Sequence, residues 1–353
     1  MNAVCRHFGA CGGCAWQDLP PEAYSARKRS LIVNALARHG IADPPLKEIV
    51  GVPPCSRRRA TLNIEKADGE TRIGFHALRS HDLVDMRECH VLTPGIFRLA
   101  QRLREVFAEL LREGESADMY MVEAENGFDL EIAWTRKPTP DLVARVAAAA
   151  PALGLVRVTS GGELLYKSAA PMVRLGRARV MLPPNAFLQP TREGEAILQA
   201  HVAKAVGKAK RIADLFSGCG TFALPLAERA QVHAVDADRP MLAVLADGAR
   251  NTSGLKPVTT ERRDLFRQPL SLAELNRFDA LVLDPPRAGA FAQVKQASQS
   301  RISRIAYVSC DAASFARDAR VLIDGGFQLD WIVGVDQFLW SAHIEFAAAF
   351  ARN

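Results

Sequence analysis

From about residue 183 to the C-terminus, short apolar runs alternate with longer stretches of helical periodicity. A helix is predicted at 193–206, and the apolar runs after it predict buried strands at 211–215, 232–235, 280–283, 305–308, 329–335 and 344–349. Strands that alternate with helices favour a parallel, doubly wound sheet, because each crossover helix covers one face of the strands it connects. We therefore expect an α/β domain at 183–353.

A different pattern occupies residues 58–182, where apolar and polar positions alternate with a period of two. Three dipeptides with the composition of tight turns divide this stretch: Asp68-Gly69, Asn126-Gly127 and Gly161-Gly162. At Asn126-Gly127 we predict a type I′ hairpin turn, which needs positive φ at both positions. Thr93 and Thr139, each followed by proline, predict the N-caps of two helices. These elements indicate an α+β domain with an antiparallel sheet.

The N-terminal segment contains the run Cys5-Arg6-His7-Phe8-Gly9-Ala10-Cys11-Gly12-Gly13-Cys14. A basic helix is predicted at 20–39, because apolar positions recur there with helical spacing before Gly40. Pro44 and Pro45 predict a linker. We therefore divide the chain into a cysteine-rich segment with a basic helix (1–45), a central α+β domain (46–182) and the α/β domain (183–353).

The composition is that of a globular protein with a basic surface. The 353 residues are 48% hydrophobic, with a formal net charge of +6 and a pI near 9.0. No apolar run approaches the ~20 residues of a membrane span, and the N-terminus lacks the pattern of an export signal. We expect a monomeric cytoplasmic protein without membrane contacts. The basic balance favours a polyanionic partner, which is weak support for nucleic acid.

A glycine-rich turn follows the first predicted strand of the α/β domain and reads Asp214-Leu215-Phe216-Ser217-Gly218-Cys219-Gly220-Thr221. Its glycines let the backbone approach a ligand closely, and Asp236, roughly 20 residues on, can accept hydrogen bonds from ribose hydroxyls. The pattern fits a dinucleotide, S-adenosylmethionine, or a tight turn without a ligand. Asp214 before the glycines, Asp264 after the third strand and Asp284 after the fourth favour S-adenosylmethionine.

Cys310 ends an apolar run and is expected at the carboxyl edge of the sheet, where ligands bind in open α/β folds. A thiolate that adds to C6 of uracil makes C5 nucleophilic, and a carboxylate can then remove the C5 proton. Cys310 and Glu345 would supply that pair, and Arg287 and Arg317 would lower the pKa of the thiol. An inert core thiol and a structural Arg287 are the alternatives.

Seven cysteines in a chain without an export signal favour metal ligation or catalysis over disulfides. Cys5, Cys11 and Cys14 are close in sequence, and Cys89 is the fourth candidate. Three near cysteines and one remote cysteine are typical of [4Fe–4S] ligation. Zinc bound by four cysteines is the alternative, although the chain has one Cys-x-x-Cys pair where zinc ribbons usually have two.

Taken together, these motifs resemble the bacterial RNA (uracil-5-)-methyltransferases, and in particular their iron–sulfur 23S rRNA branch. The resemblance covers nearly the whole chain. It is carried by the cysteine run at 5–14 with Gln17, Tyr24 and Lys28, by Phe187-Leu188-Gln189, by the loop 214–221, by Tyr307-Val308-Ser309-Cys310, and by Asp336-x-Phe338 with His343-x-Glu345. It implies a Rossmann-like class I S-adenosylmethionine methyltransferase fold, with an N-terminal and central α+β antiparallel-sheet domain that carries an iron–sulfur cluster.

The resemblance also implies roles for individual residues. Cys310 would be the nucleophile and Glu345 the base. The cluster ligands would be Cys5, Cys11, Cys14 and Cys89. Contacts to the cofactor S-adenosylmethionine would come from Gln189, Phe216, Gly218, Gly220, Thr221, Asp236, Asp264 and Asp284. The substrate would be RNA, with 23S rRNA the first expectation.

The chain departs from the family pattern at two places. Asp311 follows the nucleophile where the family usually has Asn, and Leu339-Trp340 replaces the usual Pro followed by His or Gln. A carboxylate at 311 is expected to raise the pKa of the thiol. RNA contacts are expected from Arg27-Lys28-Arg29, from Arg57-Arg58-Arg59 and from the central sheet, although such runs also occur on solvated faces.

Three other functions stay open. The first is a tRNA uracil-5-methyltransferase. The second is an amino-group methyltransferase in which Cys310 is structural; an aromatic residue often follows Asp-Pro-Pro in that class, and Arg287 stands there instead. The third is an iron–sulfur RNA-binding protein with weak activity.

Overall fold

The computed structural model describes residues 3–135 and 137–352. Their N-terminal part forms α1 (Pro21–Ala37) and β1 (Leu46–Gly51). The central part forms β2 (Arg59–Ala67), β3 (Glu70–His76), β4 (Leu83–Asp85), α2 (Pro94–Leu110), β5 (Ser116–Ala124), β6 (Gly127–Trp134), α3 (Pro140–Ala149), β7 (Leu155–Ser160) and β8 (Glu163–Lys167). The C-terminal part forms β9 (Met172–Leu175), β10 (Ala178–Met181), α4 (Arg192–Val206), β11 (Arg211–Leu215), α5 (Ala223–Ala227), β12 (Gln231–Asp236), α6 (Arg239–Arg250), β13 (Val258–Arg262), α7 (Leu272–Leu275), β14 (Ala280–Leu283), α8 (Phe291–Gln299), β15 (Arg304–Ser309), α9 (Ala312–Asp324), β16 (Gln328–Asp336) and β17 (Glu345–Ala351).

The C-terminal part builds most of an eight-stranded sheet in the order β1-β16-β17-β15-β14-β11-β12-β13. Neighbouring strands are parallel except for β17, which runs antiparallel to both β15 and β16. The predicted α/β alternation is confirmed, and β11 and β14 have the predicted bounds. The prediction that the last strand continues the parallel sheet is wrong. A short loop joins β16 to β17, whereas a parallel pair needs a longer crossover.

The N-terminal part belongs to this same sheet. β1 pairs in parallel with β16, from Leu46 opposite Ile332 to Gly51 opposite Asp336. Apolar residues of α1 share one core with strand and helix residues of the C-terminal part. The expected boundary after residue 45 therefore does not match the sheets, because 46–51 pair with β16 rather than with the central strands. As a division into domains, 1–45, 46–182 and 183–353 stays a prediction.

The central part forms a seven-stranded sheet in the order β4-β3-β2-β5-β6-β7-β8. Its pairs are antiparallel, as predicted, except that β6 and β7 are parallel because the chain crosses over through α3. Leu103 and Phe107 of α2, Val146 of α3, and Leu62 and Ile132 of the strands belong to one apolar core. No helix among the described residues is both long and apolar enough to cross a membrane.

Local sequence patterns set the ends of several central elements. Thr93 caps α2 by accepting the backbone N–H of Ile96, and Thr139 caps α3 by accepting that of Leu142. Both N-caps are confirmed. The turn between β7 and β8 is formed by Gly161-Gly162, whose φ values of 56° and 84° are those that a type I′ turn requires. The predicted turn is therefore confirmed as well.

The hairpin between β5 and β6 is confirmed, but its turn lies one residue earlier than Asn126-Gly127. Gly127 pairs with Ala124, so Glu125 and Asn126 form the connection. At Gly127 φ is 140°, and a Cβ there would lie 2.6 Å from Cγ1 of Val156. The glycine is therefore required by the close approach of β7 and not by a type I′ turn.

Candidate active site

Three strand ends of the eight-stranded sheet bring Asp284, Cys310 and Glu345 together. Asp284 directly follows β14, and Cys310 directly follows β15. Because β17 runs antiparallel to β15, its first residue, Glu345, lies at the same edge of the sheet as Cys310. Both carboxyl groups are close enough to change the pKa of the Cys310 thiol. The topology therefore places a half-buried thiol beside two carboxyl groups.

Burial is the largest cause of the raised pKa in all three groups. It raises the pKa of the Cys310 thiol to about 11, and the charge of Glu345, followed by that of Asp284, acts in the same direction. Burial, followed by the charge of Asp284, raises the pKa of Glu345 to about 8. Asp284 keeps some contact with solvent as a residue, yet desolvation of its carboxyl group raises its pKa to about 7. A cation bound at this edge would favour the ionised forms.

Two expectations about the neighbours of this thiol are wrong. Asp311 is the N-cap of α9, and its carboxylate accepts the backbone N–H of Ser314 at 2.8 Å, so the charges that raise the thiol pKa come from other carboxylates. Arg317 is engaged with Asp318 at 2.7 Å. Of the two arginines expected to lower the thiol pKa, Arg287 does so.

A cleft of about 320 Å³ opens beside Cys310. α1 contributes Asn34 and Arg38 to its wall, and the segment before β17 contributes His343 and Ile344. The half-buried thiol is therefore reachable from a surface groove between α1 and the first residues of α9.

The glycine-rich loop after β11 is held against the end of β12. Asp236 accepts the backbone N–H of Gly218 with Oδ2 and that of Asp238 with Oδ1, both at 2.8 Å. Phe216 has φ 61°, an uncommon conformation for a bulky residue. Thr221 closes the loop, and its carbonyl accepts from the side chain of Gln199 at 3.0 Å. Asp236 thus lies beside the loop, and its contact to a ribose stays a prediction.

Gly220 allows the loop to pack closely against neighbouring side chains. Its φ is 99°, and a Cβ there would lie 2.9 Å from side-chain atoms of Leu224 and Leu245. At Gly218, with φ 53°, a Cβ would meet only Met241, at 3.6 Å. The first glycine is therefore needed for its backbone conformation, and the second also for close contact with α6.

Asp214 is fully buried at the end of β11. Neither carboxylate oxygen has a hydrogen-bond partner among the described residues, although the backbone N–H of Ala223 lies where it favours the ionised form. Burial, followed by the charge of Asp284, raises the pKa of Asp214 well above its usual range. Leaving a buried polar group unsatisfied costs roughly 1–3 kcal/mol, and a ligand with donors or positive charge here would offset that cost.

Asp264 stabilises the turn that follows β13. Its Oδ1 accepts the backbone N–H of Phe266 at 3.0 Å, and its Oδ2 lies 3.5 Å from Arg267. The turn places the ring of Phe266 beside that of Phe216, with centroids 5.5 Å apart. Phe266, half of which is exposed, is a candidate that the sequence pattern did not identify.

Gln189 is linked to the carboxyl group of Glu345 through the side chain of Gln337. It is buried, and its Oε1 accepts a hydrogen bond from Nε2 of Gln337 at 2.7 Å. The same nitrogen donates to Oε2 of Glu345 at 3.4 Å. Arg58 donates to the backbone carbonyl of Gln189 and pairs with buried Glu195 at 2.7 Å. Gln337 stands at an unassigned position of the Asp336-x-Phe338 motif, so the motif gave no reason to select it.

The loop between β16 and β17 rests on α1. Lys28 is fully buried, and its Nζ donates to Asp336 at 2.6 Å and to the carbonyls of Phe338 and His343 at 3.1 and 2.5 Å. The expectation that Lys28 contacts RNA is therefore wrong. It is wrong for Arg58 too, which is 3% exposed and paired inside the protein.

Four cysteines surround one small cavity. Its walls include Cys5, Cys11, Cys14 and Cys89, together with Phe75, Met86 and Gln17. Burial raises the pKa of Cys14 to about 12, and the neighbouring thiols of Cys89, Cys11 and Cys5 add to the effect. The predicted ligand set is thus brought together in space. Within 3–135 and 137–352, no three His, Cys, Asp or Glu side chains are grouped so that they could hold one metal ion.

Backbone contacts fix the cysteine run against the central sheet. The backbone of Cys11 forms an isolated antiparallel β-bridge with Ala77, and the N–H of Gly12 donates to the carbonyl of His76 at 2.9 Å. A Cβ at Gly12 would lie 2.7 Å from that same oxygen. His7 accepts the backbone N–H of Arg87 at 3.0 Å, two residues before the fourth cysteine. The run is therefore anchored on both sides of the cavity.

The similarity to known proteins extends over nearly the whole chain. No family model matches it. An uncharacterised RNA methyltransferase of Brucella suis is 39% identical over 353 residues, covering 100% of this chain and 85% of the relative. The 23S rRNA (uracil(1939)-C(5))-methyltransferase of Thiobacillus denitrificans is 34% identical over 372 residues, covering 99% and 85%. The structure of Pyrococcus abyssi tRNA (uracil-54, C5)-methyltransferase in complex with S-adenosyl-L-homocysteine has a TM-score of 0.74 at 22% identity, covering 97% of this chain and 86% of that one. At that identity the structural likeness shows a common fold alone.

Proposed function

Because the chain belongs to the bacterial RNA uracil-5-methyltransferase family, we propose that it methylates C5 of a uracil in RNA through a covalent Cys310 adduct. Its α/β fold is that of the class I S-adenosylmethionine methyltransferases. The observation that carries the mechanism is the meeting of Cys310 and Glu345 at one sheet edge. Uracil C5 chemistry needs a nucleophile and a base, and this edge offers both.

Cys310 and Glu345 divide the chemistry between them. Sγ of Cys310 adds to C6 of the uracil, which gives C5 the character of an enolate carbon. S-adenosylmethionine, when bound, supplies the methyl group that C5 takes. Glu345 then removes the C5 proton, the electron pair re-forms the C5=C6 bond, and the Sγ–C6 bond breaks to return the thiolate.

The cofactor would lie over the glycine-rich loop. The residues proposed to hold it are Gln189, Phe216, Gly218, Gly220, Thr221, Asp236, Asp264 and Asp284. The buried, unpartnered carboxyl group of Asp214 supports a ligand here, since a donor or a cation would satisfy it. The rings of Phe216 and Phe266 offer apolar surface for an adenine. Gly220 would act through packing, and Asp264 through the turn that places Phe266.

We propose a [4Fe–4S] cluster in the cysteine cavity, held by Cys5, Cys11, Cys14 and Cys89. Four thiols around one small cavity are the donor set that such clusters use. Such a cluster would take one thiolate at each iron atom, so the four cysteines would not have to converge on one point. Zinc requires them to converge, and no three donors among the described residues are grouped in that way.

The proposed substrate is 23S rRNA, as in the Thiobacillus denitrificans relative. Two partly exposed arginines near the site suit an unpaired RNA strand. Arg59 lies over the ring of Phe187 at 4.4 Å, and Arg57 lies 6.0 Å from the ring of Phe338. Such pairs combine a positive charge with a flat surface on which bases stack. A tRNA substrate is the alternative, and methylation of 23S and tRNA transcripts by the same preparation separates the two.

Cys310→Ala tests the mechanism. With 5-fluorouridine RNA the wild type should form an adduct that resists denaturation, because fluorine at C5 cannot leave as a proton, and Cys310→Ala should form none. Cys55→Ser, which changes a cysteine outside both sites, should behave as the wild type. Full methylation by Cys310→Ala would refute the covalent mechanism. A wild type that binds RNA but never consumes the methyl donor would support the binding-protein alternative.

A further inference from the structure

Gln337 is a buried amide between two groups of the proposed active site. It directly follows β16 and is 1% exposed. Its Nε2 donates to Oε1 of Gln189 at 2.7 Å and to Oε2 of Glu345 at 3.4 Å. A hydrogen bond to a carboxylate oxygen of Glu345 uses the nitrogen of the amide, and Oε1 of Gln337 is buried without a partner among the described residues. One side chain therefore connects the proposed base to a proposed cofactor contact.

The surroundings of Glu345 give this amide a specific task. The charged and titratable groups near Glu345 come from three segments: Asp284 and Arg287 from the segment after β14, Cys310 from the position after β15, and Arg59 from β2. The two acidic groups disfavour the carboxylate form, and the arginines favour it. Gln337 adds a hydrogen-bond donor that also favours the ionised form. Because it contacts Oε2 and not Oε1, it favours one orientation of the carboxyl group.

We propose that Gln337 is a positioning residue, which holds Glu345 in the orientation that removes the C5 proton and ties this carboxylate to Gln189. The inference rests on the proposed function, because it assigns Gln337 to one step of that reaction. The step is the last one, in which Glu345 takes the C5 proton and the Sγ–C6 bond breaks. Addition of Cys310 and methylation of C5 do not use the hydrogen bond to Glu345, and saturating S-adenosylmethionine offsets any loss of the contact with Gln189.

A role in this last step predicts that a covalent reaction intermediate accumulates when Gln337 is replaced. Gln337→Met keeps the volume of the side chain and removes the donor, so we expect the methylated adduct on natural RNA to form but to decay roughly tenfold more slowly. The variant should accumulate a denaturant-resistant protein–RNA complex that carries labelled methyl. The donor favours the ionised base, so its loss raises the pKa of Glu345 above about 8. The acid limb of the decay rate should therefore move to higher pH.

Gln293 offers a matched control. It is also 1% exposed, and its amide both accepts from and donates to the backbone of Leu270, away from the site. Gln293→Met should lose comparable buried hydrogen bonds, yet leave the adduct lifetime and its pH dependence unchanged. If Gln337→Met does not fold, Gln337→Glu keeps the size and replaces the donor by a carboxylate, and its adduct should persist at least as long.

The outcomes separate the two proposals. A wild type without any adduct on 5-fluorouridine RNA overturns the covalent mechanism itself. A wild type that forms this adduct, with Gln337→Met turning over natural RNA as Gln293→Met does, overturns the role of Gln337 alone. Equal slowing of adduct formation and decay would also overturn it, because that result indicates a general loss of structure.

Discussion

Lys28 of α1 and Asp336 at the end of β16 form a fully buried ion pair, with Nζ 2.6 Å from Oδ1. Asp336 also accepts the hydroxyl of Tyr24. Two further hydrogen bonds run from Lys28 to backbone carbonyls of the loop that leads to Glu345. The position of the proposed base thus depends on a charge supplied by the N-terminal helix.

Lys28→Met should lower the free energy of unfolding by about 3–5 kcal/mol, because it leaves the buried Asp336 carboxylate without its cation. Lys28→Met combined with Asp336→Leu should recover much of that loss. Urea titration followed by circular dichroism measures both. Arg72→Met, which breaks an exposed pair with Asp68, is the control and should change little. If Lys28→Met were as stable as the wild type, the ion pair would not contribute to stability as proposed.

Glu345→Gln should lower the pKa of Cys310 below about 11, because the charge of Glu345 is the largest electrostatic contribution that raises it. The thiolate reacts with alkylating agents and the thiol does not, so Cys310 of the variant should be alkylated at lower pH. Mass spectrometry of the Cys310 peptide across a pH series gives the midpoint. Asp264→Asn removes a carboxylate that does not act on Cys310 and should leave the midpoint in place. An unchanged midpoint in Glu345→Gln would show that the charge of Glu345 does not contribute to the pKa of Cys310.

The sequence reveals the proposed catalytic groups because their chemistry is unusual at strand ends. Asp284 and Cys310 could be placed together, since the carboxyl ends of parallel strands share an edge. The position of Glu345 depends on the reversal of β17, and an apolar run carries no information on the direction of a strand. The same limit applies to β1, whose short run does not indicate which sheet it joins.

Buried polar residues are the hardest to predict from a sequence. Lys28 stands in a basic run, and its partner Asp336 lies 308 positions away, so its burial follows from tertiary packing alone. Gln337 has no unusual neighbours in sequence, and its role depends on Gln189 from a distant segment. The role of Asp311 is hard to predict for a related reason: its proximity in sequence to Cys310 favours an electrostatic effect, whereas its carboxylate caps α9.

Gly220→Ala should destabilise the protein more than Gly218→Ala does. Both positions have positive φ, where alanine costs roughly 1–2 kcal/mol. At Gly220 the new methyl group would also press on Leu224 and Leu245 at 2.9 Å, and overpacking adds about 1–3 kcal/mol. Thermal unfolding of the two variants, with and without S-adenosylmethionine, gives the order. The reverse order would mean that the packing of the loop on α6 is not tight.

The residues that follow the cysteine run are hydrogen-bonded to the loop that leads to the proposed base, Glu345. The backbone N–H groups of Ala15 and Trp16 donate to the carbonyl of Trp340 at 2.6 and 3.0 Å. Trp340 has φ 57° and lies five residues before Glu345. Loss of a group bound to Cys14 should therefore loosen this loop as well as the cysteine cavity.

Cys14→Ser should abolish binding of iron, which the wild type should hold at about four atoms per chain after anaerobic purification. Cys55→Ser lies outside the cavity lining and should keep the iron. Hydrogen exchange of the backbone around Trp340 should be faster in Cys14→Ser and unchanged in Cys55→Ser, because only the first variant frees the segment that holds this carbonyl. Metal analysis that finds stoichiometric zinc and no iron would refute the cluster. Iron loss without faster exchange at Trp340 would refute the connection to the loop that leads to Glu345.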